Sequence, residues 1–172
     1  GVASARITET DFALEIDPKL VEAHMLLGGL YSALRMYAEA LESYHKVLAL
    51  EPENAEAPMF IGALYAEQKK YPEALTQFEA LAKNKNNQSP HLAWYYVGRI
   101  YLELGKPDSK TKAEKAFLAS LQAKPEFTDS LLALGQLYET TNKRADAKTA
   151  YSRYQEKYGP DSGVAEALGR LH

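Results

Sequence analysis

Four histidines, His24, His45, His91 and His172, and 23 carboxylates are the residues of this chain suited to metal binding or acid–base work. A helical zinc site needs two histidines four apart, or a tight cluster of ligands within a loop. None of the four histidines has such a neighbour. Glu51 and Glu53 flank Pro52, a turn open to water that offers a substrate no enclosure in which a general acid could act. There is no cysteine among the 172 residues, which removes thiolate ligands, thiol nucleophiles and disulfides together. No G-x-S-x-G, Walker-type loop or dinucleotide fingerprint occurs. The expectation is therefore no catalytic residue, no metal and no cofactor. An enzyme remains the weaker class, to be promoted only by turnover that one carboxylate or histidine substitution abolishes.

Composition narrows the partners. The chain is 46% hydrophobic and 25% charged, as in ordinary globular proteins. A net charge of −3 gives no global attraction to phosphate backbones, so nucleic acid is not the expected partner. No apolar run is long enough to span a bilayer. A cysteine-free chain suits the cytoplasm, taken as the default compartment, and is compatible with a periplasm.

The elements that must position any site are set by repetition. Gly28, Gly62, Gly98 and Gly135 recur at 34, 36 and 37 residues, and Tyr31, Tyr65, Tyr101 and Tyr138 keep step with them. Ala40, Ala74, Ala113 and Ala147 follow, then Tyr44, Phe78, Phe117 and Tyr151. Such a period is the mark of a repeat architecture, in which neighbours bury one another's apolar faces. Within 21–54, Val21, Leu26, Leu27, Leu30, Tyr31 and Leu34 recur at helical intervals, and after a short turn Ala40, Leu41, Tyr44, Val47 and Leu48 do so again until Pro52 stops the second helix. Each unit reads as two antiparallel helices. Glycine within a helix costs roughly 1 kcal/mol against alanine, so four in one register point to close approach of the paired helix.

The expected boundaries are 1–20, the second helix of an incomplete upstream unit; 21–54; 55–90, closed by the polar linker 83–90; 91–127, with a lengthened turn at 105–112; 128–161, stopping at Gly159 and Pro160; and 162–172, a terminal or capping helix. The linker is expected to be the loosest joint. Four lysines near the long turn, Lys106, Lys110, Lys112 and Lys115, are read as solvated loop composition.

With Trp94, Val97, Gly98 and Tyr101, then Ala113, Phe117, Ser120 and Pro125, the 91–127 unit closely resembles the tetratricopeptide repeat, and the resemblance covers nearly the whole chain. It departs at His24, Pro58 and Leu131, where the family prefers Trp, and at Asn86 and Gly159 in place of Pro. His24 is thus expected to be a partly buried structural ring. The resemblance implies an all-α, right-handed superhelix whose first helices line a concave groove. It also implies a non-enzymatic scaffold that binds a peptide or helix of a partner. Carried over, the groove residues are Glu22, Met25, Gly29, Ser32 and Ala33; Glu56, Met59, Ala63, Ala66 and Glu67; Leu92, Tyr95, Arg99, Leu102 and Glu103; Asp129, Leu132, Gln136, Glu139 and Thr140.

These residues lack the donors with which the family clamps a terminal carboxylate, since Met25, Met59 and Leu132 stand at fifth positions and Glu22, Glu56 and Asp129 at second positions. Soft apolar floors with acidic walls suit a peptide or amphipathic helix with apolar anchors and basic flanks. Self-association through the end units, which would make a structural scaffold, is the alternative. A pentatricopeptide-type RNA reader has a similar period, and the acidic groove argues against it.

Overall fold

The structure is a computed structural model and describes residues 1–159 and 163–172. Every regular element among the described residues is an α-helix. The chain divides into two compact units at Gln88/Ser89, inside the polar segment 83–90.

The first unit contains α1 (Val2–Ile16), α2 (Val21–Ala33), α3 (Tyr37–Leu50), α4 (Ala57–Glu67) and α5 (Tyr71–Lys83). Here α2 pairs with α3 and α4 with α5, while α1 packs on α2 and α3 on α4. The second unit contains α6 (Pro90–Leu104), α7 (Ser109–Ala123), α8 (Thr128–Thr140), α9 (Arg144–Tyr158) and the short α10 (Ala165–Arg170). The pairs are α6 with α7 and α8 with α9, with α7 against α8 and α10 against α9. Both units therefore have the all-α architecture of stacked helix pairs that the repeat implies. The expected stop at Pro160 and the boundary between 161 and 162 lie outside the described residues.

Each pair closes on a glycine. A Cβ placed on Gly28 would lie 2.5 Å from the Tyr44 ring, one on Gly62 2.8 Å from Phe78 and one on Gly98 2.5 Å from Phe117, and Gly135 meets Tyr151 in the same way. No side chain fits there, so the glycine register is a requirement of the helix crossing. Ala40, Ala74, Ala113 and Ala147 on the facing helices are fully buried.

Three of the tight turns are built alike. Arg35, Lys69 and Asn142 take left-handed φ of 57–58°, and the next residue donates its N–H to the carbonyl of Tyr31, Tyr65 or Tyr138 at 2.8–2.9 Å. This bond ends the first helix of each pair in the Schellman manner. The fourth turn differs from expectation. Helix α7 begins at Ser109, so the last four residues of the predicted 105–112 turn are helical. Ser109 is 2% exposed and its hydroxyl accepts the Lys106 N–H at 2.9 Å, which nucleates the helix early. Lys110, Lys112 and Lys115 therefore stand on α7, and Lys112 pairs with Asp108 at 2.9 Å.

Where the family has proline after α5, asparagines do the stopping. Asn87 Nδ2 donates to the Leu81 carbonyl at 3.0 Å, and Asn84 Oδ1 accepts the Asn86 N–H at 2.9 Å. Pro58, Pro72 and Pro90 each sit in the first turn of a helix, where the missing N–H costs nothing.

Candidate functional site

All twenty predicted groove residues are at least partly exposed. In the first unit, Glu22, Glu56, Ala63 and Glu67 are exposed and Met25 and Met59 are half-buried, with Met25 packing on the core around Tyr44 and Val47. A cavity of about 430 Å³ lies between α2 and α4 on this face. Gly29, Ser32 and Ala33 form its α2 side, Ala63, Leu64 and Glu67 its α4 side, and Tyr44 and Phe60 its aromatic surface. Glu22, Met25, Glu56 and Met59 do not line it.

Three residues of this lining, Tyr44, Phe60 and Leu64, lie outside the family positions, and of these Phe60 is the exposed one. Its ring stacks on Tyr44 with centroids 5.3 Å apart and planes 10° apart, yet it stays 45% exposed. The buried Tyr44 hydroxyl is held above the usual phenol pKa by desolvation, partly offset by Ser32. A signal for Phe60 was present: it is the sixth residue of its unit, and the sixth residues of the flanking units, Leu26 and Tyr96, are also large and exposed. In three of the four units one large apolar residue thus faces out on the first helix, whereas Ala133 takes that place in the fourth and is buried.

In the second unit, Leu92, Tyr95, Leu102 and Leu132 are half-buried against the core, and Arg99, Glu103, Asp129 and Gln136 are exposed. Tyr95 stands edge-on to Phe127 at 5.7 Å and beside Phe117 at 6.0 Å, so its ring is structural on one side. Arg99 donates to the Tyr95 hydroxyl at 2.8 Å. Glu139 is committed internally. It accepts the Tyr151 hydroxyl at 2.6 Å and pairs with Arg170 at 3.1 Å. The Tyr151 bond, then Arg170, hold its carboxyl below the usual range against a desolvation cost. The sequence could not reveal this, because Arg170 reaches Glu139 only once α10 has folded back.

The histidines are dispersed. His24 is buried at 6% exposure and bonds through Nε2 to the Pro18 carbonyl at 2.9 Å, making it more enclosed than the partly buried ring expected. His91 stands edge-on to Phe127 at 4.8 Å, and burial followed by the Lys124 charge lowers its pKa. Glu51 accepts the Asn54 side chain at 2.8 Å in an exposed turn. Among the described residues no group of three His, Asp or Glu could hold a metal ion, and no helix is long and apolar enough to cross a membrane.

Comparison with known proteins agrees with this geometry. Three family models described as tetratricopeptide repeat match residues 33–93, 70–126 and 129–160. No curated protein matches the chain significantly in sequence. Among solved structures, MamA is similar at 25% identity and a TM-score of 0.75, over 88% of this chain and 86% of that one. PilF of Pseudomonas aeruginosa is similar at 20% identity and 0.76, over 98% and 86%. YrrB, described as a TPR protein with an unusual peptide-binding site, is similar at 21% identity and 0.72, over 98% and 84%. The last two likenesses are of fold. With the glycine clasps, the paired helices and three matching models in agreement, the chain belongs to the tetratricopeptide-repeat family.

Proposed function

We propose that this protein-interaction scaffold, which is non-enzymatic, captures a partner peptide or helix on the first-helix face, with an apolar anchor in the α2–α4 cavity and basic residues beside it. The observation that carries the reading is Phe60, an aromatic ring left 45% exposed over a cavity of about 430 Å³. Covering the part of that ring still open to water contributes roughly 1 kcal/mol, enough to make it an anchor point. Glu67 at the cavity, with Glu22 exposed on α2 and Glu56 exposed just before α4, favours lysine or arginine on the partner.

The test is a peptide array in which a leucine or phenylalanine is flanked by lysines, probed with the intact chain and with Phe60→Ala. Phe60→Ala should weaken capture by about tenfold, which corresponds to about 1.4 kcal/mol. Met59→Ala, on α4 but outside the cavity lining, should weaken capture less. Tyr95→Ala is not a clean probe, since removing that ring also opens the core around Phe117 and Phe127. Equal capture by parent and Phe60→Ala would move the site elsewhere.

A second reading, self-association, is favoured by α1, where Phe12 at 63% and Ile16 at 74% exposure are four residues apart and so share a face. Light scattering over a concentration series, with Phe12→Glu as control, decides it. A mass that stays monomeric at every concentration removes the reading.

A further inference from the structure

Two helices, one in each unit, carry opposite charge on faces that stay exposed. In α1, Glu9, Asp11 and Glu15 stand against the single cation Arg6. In α7, Lys110, Lys112 and Lys115 stand against the single anion Glu114. The minority charges are turned aside. Arg6 lies roughly 120° around its helix from Phe12, and Glu114 is held by Lys143 and by the Tyr138 hydroxyl, each at 3.2 Å. Lys112 is taken by Asp108. Glu9 and Glu15 on α1, and Lys110 and Lys115 on α7, are exposed and make no ion pair among the described residues.

Each face also has an apolar residue between its charges. On α7, Leu118 stays 46% exposed, with Lys115 three residues before it and Lys110 eight before it. Those spacings put the two lysines on opposite sides of Leu118, roughly 60° and 80° around the helix. On α1, Glu9 and Glu15 stand three residues to either side of Phe12, each roughly 60° around. Ile16, one turn beyond Phe12, widens the apolar strip. The two faces thus share one layout with the charges reversed.

We propose that α1 of one molecule docks on α7 of a second copy, with Phe12 and Ile16 covering Leu118 while Glu9 or Glu15 meets Lys115. The proposal rests on the self-association reading through α1 and names the surface that α1 meets. A second copy is the occupant because both halves of the contact lie in one polypeptide. Burial of the apolar residues supplies the affinity, whereas exposed charge pairs add little strength and instead select the partner and its register. The contact joins two different faces, so every copy offers one of each.

Sedimentation equilibrium of the full chain tests this, with the reversals Lys110→Glu/Lys115→Glu and Glu9→Lys/Glu15→Lys. Each variant alone should associate about tenfold more weakly than the parent, and so should Leu118→Ala. An equimolar mixture of the two reversals should recover association, because the reversed α7 of one variant then meets the reversed α1 of the other. All five side chains are exposed, so the variants keep their fold, which circular dichroism verifies. A parent chain that stays monomeric at every concentration would overturn both this proposal and the self-association reading. Association lost in Phe12→Glu but kept in both reversals, or a mixture that stays dissociated, would overturn the docking on α7 alone.

Discussion

The Ser130 hydroxyl donates to the Ser120 hydroxyl at 2.7 Å, and Ser120 passes the chain on to the His91 carbonyl at 2.8 Å. Both serines are fully buried. At the matching places other repeats carry Ala23, Ala57 and Ala93 for Ser130, and Val47 and Leu81 for Ser120. Two polar residues have thus entered the α7–α8 junction together, each supplying what the other needs. Ser120→Ala should cost about 1–3 kcal/mol, because it strands the Ser130 hydroxyl, whereas Ser120→Ala/Ser130→Ala should cost less than the sum of the single changes. A double-mutant cycle in urea measures the coupling, and strict additivity would deny it.

Adjacent glycines should respond with opposite signs. Gly28→Ala would drive a methyl into the Tyr44 ring, which is 2% exposed and cannot move aside, so a loss of about 1–3 kcal/mol is expected. Gly29→Ala would meet only the Tyr44 hydroxyl, at 3.9 Å, and should gain about 0.4–1 kcal/mol from the stiffer unfolded chain. Thermal melts of the two variants give the comparison directly.

The left-handed turns offer another gain. Arg35 and Lys69 hold positive φ with a Cβ in place, a strain of roughly 1–2 kcal/mol of which glycine returns part through its own flexibility. Arg35→Gly and Lys69→Gly should each stabilise by about 0.5–1 kcal/mol. Asn142→Gly should do less, because asparagine tolerates this conformation. Urea midpoints that rank Asn142→Gly highest would count against the turn geometry as the cause.

Two tyrosines, Tyr138 and Tyr151, are the most strongly shifted of those that respond to alkali. Burial, then Glu114, pushes Tyr138 from 10.0 up to about 12, and burial followed by the Glu139 bond raises Tyr151 as well. A raised phenol contributes stability that is present below the unfolded pKa and is lost as pH rises through the folded one. Tyr138→Phe should therefore flatten the fall in stability between about pH 10 and pH 12. On the acid side Glu139 is depressed, so its contribution is present above the unfolded carboxylate pKa and is lost as pH falls through the lower folded value. Glu139→Gln should reduce that acid loss. Urea midpoints measured across pH check both arms.

Much of the fold was legible because its determinants are periodic. Gly62 and Phe78 announce a helix crossing by type and spacing alone, and Pro58 and Pro72 mark helix starts through a donor they lack. The early start of α7 was not legible, because it depends on the Ser109 hydroxyl meeting the Lys106 N–H across a loop. The candidate site was legible as an exposed helix face more than as a set of contacts. Ala63 and Glu67 reach the α2–α4 cavity, while Glu139 is drawn into a bond with Arg170, a partner 31 residues away that no local pattern signals. Phe60 was passed over although its register repeats, because sequence alone does not distinguish an outward aromatic from a core one.

The clasps between glycine and ring have a practical corollary. Sixteen residues separate Gly28 from Tyr44, Gly62 from Phe78 and Gly135 from Tyr151, but nineteen separate Gly98 from Phe117, and the ring sits as close there as at Gly28. The connecting segment is thus slack with respect to the clasp it joins. The junction of Gly105 and Lys106, exposed and ahead of the Lys106–Ser109 bond that starts α7, forms a natural port for grafting a fluorescent reporter or an affinity tag. A graft there should leave the melting temperature within a few degrees of the parent, whereas the same insert at Arg35 would break a turn whose hydrogen bonds depend on its length.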